Sequence, residues 1–273
     1  MQPLTCKSFA KLNLCLHILG RRNDGYHNLE SIFCIIDLYD TLTFQKNNTT
    51  KVNFKTNSNE IDSTYNLVTK AYNVISNLYD ITGVDIFLDK KIPIGSGLGG
   101  GSSNAAVTLL ALNEIFELNI SRDNLMKMSQ DIGADVPFFI NGGVAQIGGK
   151  GEIINNISID KKYFVLILPT INIPTKDIYE SLSPKDFMIQ YSLDDLRVSN
   201  INSFEEIVMS KYPSLKETKY WLSAFGSVRM SGTGSTLYIE YDNYEGALEA
   251  NKEIGRKYKS LMVSSLESYD IFS

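Results

Sequence analysis

Several absences bound this 273-residue chain before any motif is considered. Cysteine is scarce: Cys6, Cys15 and Cys34 are odd in number, sit in apolar or strand-like surroundings and show neither CxxC nor metal-ligand spacing. They read as reduced thiols of a cytoplasmic protein rather than a disulfide framework or a zinc site. Excess positive charge is also missing. A net charge of −5 argues against nucleic acid or an anionic membrane as a partner. Apolar runs such as Phe164 to Leu168 are far too short to span a bilayer. The first residues, Met1-Gln2-Pro3-Leu4-Thr5, lack the basic region and apolar stretch of a signal or transit peptide, so none is expected. No internal repeat is visible. What remains is ordinary globular composition, 43% hydrophobic and 21% charged, in a chain long enough for one large domain or two small ones.

Against that plain background one segment stands out. Residues 93–106 read Pro93-Ile94-Gly95-Ser96-Gly97-Leu98-Gly99-Gly100-Gly101-Ser102-Ser103-Asn104-Ala105-Ala106, with five glycines in the seven positions 95–101. Such a loop can take positive φ and bring bare backbone close to a ligand, although glycine is entropically costly to order. Ser102, Ser103 and Asn104 are the expected caps of a helix that continues through Leu109, Leu110 and Leu112 to about Phe116. Backbone amides feeding a helix N-terminus favour an anion, so the segment proposes phosphate. A P-loop needs a lysine that is absent here; Gly143 to Gly149-Lys150-Gly151 has that lysine but the wrong spacing and no following hydroxyl residue. Gly95, Gly97 and Gly100 fit the weak G-x-G-x-x-G pattern of dinucleotide folds, yet the loop lies about 95 residues in and the next segment reads as a second helix.

The surrounding pattern predicts a strand over Phe9–Ile18, alternating Ala10, Leu12, Leu14, Leu16 and Ile18 on one face with Phe9, Lys11, Asn13, Cys15 and His17 on the other. Asn23-Asp24-Gly25 turns the chain into a strand over Leu29–Leu38, leaving Tyr26 and His27 at the hairpin mouth. Further strands are predicted over Thr41–Gln45, Val52–Thr56 and Val84–Leu88, a helix from Tyr65 to Leu78, and another from Ser121 to a stop at Gly133. The polar stretch Gly151–Lys162 marks a boundary between units of residues 1–156 and 157–273. The second unit is read as strand (Tyr163–Leu168), helices (Thr175–Ser181, Phe204–Ser210 with Ser203 and Glu206 as a capping box, Ser214–Ala224), hairpin (Ser227–Met230, Thr236–Tyr241), helix (Glu245–Tyr258) and strand (Leu261–Ser264). That order resembles a split βαβ, ferredoxin-like unit.

Two ionisable residues are framed by apolar elements. Lys11 lies mid-strand, either on an exposed face or on one that opens onto a site. Asp135, in Gly133-Ala134-Asp135-Val136-Pro137, is either a turn residue satisfying backbone amides or a site acid. Residue type alone leaves both open.

The glycine run, the segment around Asp135, and Ser231-Gly232-Thr233-Gly234-Ser235 occur in the order and spacing of the three motifs of the GHMP kinases, which the chain resembles over nearly its whole length. Lys7-x-x-x-Lys11-Leu12-Asn13-Leu14 and Arg22-x-Asp24-Gly25-Tyr26-His27 are similar to the branch that uses a cytidyl diphosphate polyol. The resemblance implies an α+β, two-lobed GHMP kinase fold, with a ribosomal protein S5 domain 2-like N-terminal lobe and a ferredoxin-like C-terminal lobe. It implies transfer of the γ-phosphate of ATP to the 2-hydroxyl of 4-diphosphocytidyl-2-C-methyl-D-erythritol, on the non-mevalonate route to isoprenoid precursors. Asp135 would act as general base, with Lys11 paired to it and neutralising charge on the transferring group. The loop Pro93, Ile94, Gly95, Ser96, Gly97, Leu98, Gly99, Gly100, Gly101, Ser102 and Ser103 would wrap the ATP phosphates, and Asn66, Leu67 and Lys90 would form the adenine pocket. Asn13, Tyr26, His27 and Tyr179 would hold the substrate. Mg²⁺ is expected with ATP, without a dedicated protein cage. The partners implied are the small-molecule substrate alone, in a monomer or weak homodimer. Residues 181–202 carry no motif.

Overall fold

Two long strands organise the molecule. The computed structural model describes residues 2–268 and 270–272. In it, β1 (Leu4–Arg21) and β2 (His27–Lys46) pair antiparallel over nearly their full lengths. The turn between them closes as expected: Gly25 has φ +87°, and Asp24 Oδ1 accepts from the Tyr26 amide at 3.1 Å. The segments expected as separate strands over 29–38 and 41–45 are one continuous strand, because β2 is flanked on both sides. It pairs with β4 along 41–46 and with β5 along 31–34.

After β2 come β3 (Asn53–Thr56), α1 (Leu67–Ser76), β4 (Val84–Asp89), α2 (Gly100–Ile115), α3 (Arg122–Ser129), α4 (Val136–Asn141), β5 (Val144–Gly148) and β6 (Ile153–Asn156). Strands β3-β4-β2-β5-β6 form a sheet in that order, with β1 added through β2. Helix α2 packs on it, burying Ala105, Ala106, Leu109 and Leu112. Strand β6 falls inside the polar stretch read as a linker; an edge strand with only one paired neighbour needs no apolar face.

The alternation in β1 is regular in sequence but not in space. Asn13 pairs with Phe33 and Cys15 with Ile32, so Leu14 is the extra residue of a β-bulge. A bulge shifts the two-residue side-chain phase. Ala10 and Leu12 therefore pack toward Phe164, Leu166 and Tyr238, whereas Leu16 and Ile18 pack on the opposite side. Lys11, Asn13 and Leu16 line the same cleft.

The remaining chain forms β7 (Tyr163–Ile167), α5 (Thr175–Tyr179), α6 (Leu193–Val198), α7 (Glu205–Lys211), α8 (Pro213–Leu222), β8 (Val228–Met230), β9 (Leu237–Tyr241), α9 (Tyr244–Ile254) and β10 (Ser260–Ser264). Its sheet has the order β10-β7-β9-β8, all antiparallel, which is the split βαβ arrangement. Ser203 does not cap α7, whose N-cap is Phe204 with no side-chain cap bond. Its hydroxyl instead accepts from the Ile18 amide at 3.0 Å, and its amide donates to the Leu16 carbonyl at 2.8 Å, docking the segment before α7 on β1.

Several ties join the two sheets. Leu12, Phe164, Leu166 and Tyr238 are all fully buried in one cluster, and the Tyr238 hydroxyl donates to the Asn13 carbonyl at 2.8 Å. The chain's end returns as well: the Lys7 amide donates to the Ile271 carbonyl at 2.8 Å, and the Leu266 amide to the Ile35 carbonyl at 2.9 Å. Among the described residues, no helix is long and apolar enough to cross a membrane.

Because Leu12 sits wholly within this joint, Leu12→Ala should cost about 2–5 kcal/mol of unfolding free energy. Urea denaturation measures it; a loss below about 1 kcal/mol would show that the joint does not depend on this side chain.

Candidate active site

The cleft is formed on one side of β1, where the glycine loop, α1, the hairpin and the segment around α5 converge. It has a volume of about 1300 Å³. A single small ligand needs roughly 300–1000 Å³, so two can be held together.

The glycine loop forms the floor. Gly95, Gly97 and Gly99 all have positive φ, at +63°, +77° and +71°. A Cβ at Gly97 would lie 2.1 Å from the Ser231 carbonyl oxygen, and one at Gly99 would strike the Phe139 ring. Gly99 is the N-cap of α2, without a side-chain cap bond. The expectation that Ser102, Ser103 and Asn104 cap this helix is thus corrected: they lie inside it, as its third to fifth residues. The Ser103 amide makes the first helical bond, to the Gly99 carbonyl at 2.9 Å. The amides of Gly100, Gly101 and Ser102 therefore have no partner within the helix, and they stand where its dipole is positive.

The loop is docked on the Ser231–Ser235 turn. Ser231 Oγ donates to the Gly97 carbonyl at 2.9 Å and accepts from the Asn13 amide at 3.3 Å, and the Thr236 amide donates to the Ser96 carbonyl at 3.2 Å. Three segments far apart in sequence meet at one hydroxyl.

Lys11 and Asp135 face each other above this floor, with Nζ to Oδ2 at 3.7 Å. Lys11 is 3% exposed, so its face opens onto the cleft and not onto bulk solvent. Its ammonium also donates to Asn13 Oδ1 and lies 4.6 Å from the centre of the Phe33 ring. Burial pushes the Lys11 pKa down, and the neighbouring Asp135 carboxylate partly opposes that shift. Asp135 precedes α4 as its N-cap, yet its side chain makes no cap bond. Helix capping thus does not account for the carboxylate. A carboxylate beside a buried ammonium, above a row of helix-start amides, can accept a proton from a hydroxyl while an anionic group is held next to it.

The expected nucleotide residues divide into two groups. Pro93, Ile94, Gly95, Ser96, Gly97, Gly99, Gly100, Gly101 and Ser102 line the cleft, as do Asn66, Leu67 and Lys90. Leu98 and Ser103 do not: Leu98 is fully buried in the cluster between the sheets, and Ser103 Oγ accepts from Ser8 at 2.7 Å. Asn66 caps α1, accepting from the Val68 and Thr69 amides at 2.9 and 3.0 Å. The Lys90 ammonium is paired with Asp40 at 2.9 Å, leaving its stem as wall; burial lowers its pKa and Asp40 raises it. Phe54, Ile61, Leu67 and Leu88 make this end of the cleft apolar.

Asn13 lines the cleft beside Lys11, and Tyr26, His27 and Tyr179 line it on the hairpin side. Tyr26 is 56% exposed, with the Lys150 ammonium 5.0 Å from its ring centre. His27 stands 5.5 Å from Tyr179 and 6.2 Å from Phe187, ring centre to ring centre. Its pKa is lowered by burial and by nearby Arg21, which favours the neutral ring. Tyr179 is wedged against Phe204 at 4.7 Å, and burial drives its pKa up. Phe187 and Asp40 were not singled out from sequence. The first lies in the motif-free stretch; the second shares its strand with Glu30 and Asp37, so residue type alone does not mark it.

The family models for the GHMP kinases N terminal domain and GHMP kinases C terminal match residues 66–143 and 192–260. A protein of Hahella chejuensis named 4-diphosphocytidyl-2-C-methyl-D-erythritol kinase is 32% identical over 100% of this chain and 96% of its own length. One of the same name from Francisella tularensis subsp. holarctica is 37% identical over 95% of each chain. A crystal structure of 4-(cytidine 5'-diphospho)-2C-methyl-D-erythritol kinase superposes with a TM-score of 0.83 at 30% identity, covering 96% of this chain and 99% of that one. Homoserine kinase from Cytophaga hutchinsonii shares the fold, with a TM-score of 0.72 at 16% identity over 98% of this chain and 95% of the other.

The Lys11 environment makes a pH prediction. A lysine with a lowered folded-state pKa loses its proton in the native state before it does in the unfolded chain. Stability of the wild type should therefore gain, relative to Lys11→Met, as pH rises from about 7 toward the unfolded-state value near 10.4. Urea midpoints of both proteins at pH 7, 8.5 and 10 check it; a pH-independent difference would mean that the ammonium is not desolvated.

Proposed function

The chain belongs to the GHMP kinases, in the family of 4-diphosphocytidyl-2-C-methyl-D-erythritol kinases, and from that premise we propose the chemistry of its cleft. ATP donates its γ-phosphoryl group to the 2-hydroxyl of 4-diphosphocytidyl-2-C-methyl-D-erythritol, a step of non-mevalonate isoprenoid precursor synthesis. The observation that carries this reading is the Lys11–Asp135 pair, a carboxylate free of capping duty beside a buried ammonium at 3.7 Å, directly over the start of α2.

The triphosphate lies along the glycine loop, its oxygens taking the amides of Gly100, Gly101 and Ser102, while the adenine occupies the apolar end near Leu67. The cytidyl group lies at the hairpin end, where Tyr26 and His27 stack against it and read its edge, and Tyr179 backs His27. Asn13, which holds the Lys11 ammonium on its side-chain oxygen, orients the acceptor polyol. Asp135 accepts the hydroxyl proton as the oxygen attacks the γ-phosphorus, the bond from that phosphorus to the β,γ-bridging oxygen breaks so that ADP leaves, and Lys11 offsets the negative charge spread over the transferring group. A carboxylate is a weak base, so alignment of the two substrates and electrostatic stabilisation supply most of the acceleration.

Mg²⁺ fits the donor set without a cage. No group of three or more potential acidic, histidine or cysteine ligands exists among the described residues, and Mg²⁺ is commonly held mainly by phosphate oxygens and water. The Ser102 hydroxyl, on the cleft wall at the start of α2, is the protein group that would hold it beside the phosphates. When bound, the ion would neutralise phosphate charge. We place the nucleotide and catalytic lobe at residues 1–156 and the second lobe at 157–273. The acidic net charge and three buried thiols support a cytoplasmic enzyme, monomeric or weakly dimeric, without a nucleic-acid partner.

Incubating the protein with ATP, Mg²⁺ and the cytidyl substrate should yield the 2-phosphate, with no comparable turnover of mevalonate or homoserine; the reverse selectivity would refute the proposal. Asp135→Asn should lower kcat roughly 10²–10⁴-fold with ATP affinity nearly intact. His27→Ala should raise KM for the cytidyl substrate far more than for ATP; equal changes would give His27 a purely structural role.

A further inference from the structure

One carboxylate outside the catalytic pair is fully buried and fully engaged. Asp40, on β2, has no solvent exposure, and four donors converge on it. Oδ1 accepts from the Lys91 and Ile92 amides at 2.7 and 2.8 Å; Oδ2 accepts from Lys90 Nζ and Asn104 Nδ2, each at 2.9 Å. Lys90 Nζ also donates to the Ile92 carbonyl.

The placement of those donors is informative. Lys91 and Ile92 immediately precede the glycine loop, and Asn104 is the fifth residue of α2, at the start of its second turn. The two ends of the loop, 92 and 104, are thus fastened to the two oxygens of one side chain. Asn104 is held a second time, its amide donating to Ser8 Oγ at 2.9 Å while Ser8 Oγ donates to Ser103. Between these anchors the loop has glycines at positive φ and no side-chain cap. Such backbone has many conformations available, and the amides aimed at phosphate keep their direction only if the ends are fixed.

We infer that Asp40 is a positioning residue of the nucleotide site, a buried clasp that sets the spacing between the start of the glycine loop and the N-terminus of α2. It touches no substrate. Its effect falls on the ligand that lies along the loop and not on the ligand at the hairpin end, where Tyr26 precedes β2 and His27 opens it, 13 residues before Asp40. The inference rests on the reading of the loop as the ATP site.

The full-length protein is titrated with a non-hydrolysable ATP analogue and, separately, with cytidine diphosphate as the probe for the hairpin end. Asp40→Asn keeps the shape of the side chain but offers one acceptor oxygen in place of two and leaves Lys90 without its counter-charge. It should weaken the ATP analogue by roughly 10–100-fold while changing cytidine diphosphate affinity by less than about 2-fold. Asn104→Leu, which removes no charge and releases only the far end of the loop, should weaken the analogue by roughly 3–10-fold with the same selectivity. It supplies the test if Asp40→Asn does not fold. Wild-type analogue affinity in either folded variant, or equal weakening of both ligands, would overturn the clasp. Failure of the wild type to bind the analogue at all would instead refute the ATP reading of the loop.

Discussion

The Ser231 hydroxyl is the point on which the site's geometry depends. It donates to the Gly97 carbonyl and accepts from the Asn13 amide, so the glycine loop and the strand carrying Lys11 share one fastening. The approach is so close that a Cβ on Gly97 would overlap the Ser231 carbonyl. This contact explains why a hairpin of the second sheet reaches into a cleft built largely by the first. It also fixes the height of the loop below the Lys11–Asp135 pair.

A second constraint is electrostatic. The fold buries Lys11 and gives it three compensations: the Asp135 carboxylate, the Asn13 side-chain oxygen and the face of Phe33. Asp135, by contrast, keeps a third of its side chain exposed to the cleft. The asymmetry suits the roles proposed here. The cation is held rigidly by protein, while the carboxylate remains open to a reacting hydroxyl. Burying a charge this deeply lowers stability unless partners compensate, and such sites are where proteins accept that cost for function.

Much of this was legible in the residues. The hairpin, the glycine loop and both halves of the split βαβ unit follow from short-range patterns, whereas the pairing of Lys11 with Asp135, 3.7 Å apart, was implied only by the family resemblance. What escaped has identifiable physical causes. The bulge at Leu14 is invisible to a periodicity that continues unbroken through it, so Leu16 and Ile18 were assigned to the wrong face. Ser102, Ser103 and Ser203 looked like helix caps, because hydroxyl residues before apolar stretches usually are. Here Gly99 takes the cap position, Ser103 bonds to Ser8, and Ser203 accepts from the Ile18 amide of β1. Asp40 and Phe187 act through partners distant in the chain, which local sequence does not reveal.

The ties of β1 carry a consequence for the order in which the enzyme comes into being. Lys11 and Asn13 are among the first residues synthesised, yet the groups that seat their strand are among the last: Ser203, Ser231, Tyr238 and Ile271. Domains commonly fold as they emerge, N-terminal portions first. The seating of β1 must instead wait for the C-terminal third, and contacts spanning more than 200 residues slow the final step. A nascent chain that has already made Lys11 and Asp135 therefore still has no assembled cleft around them.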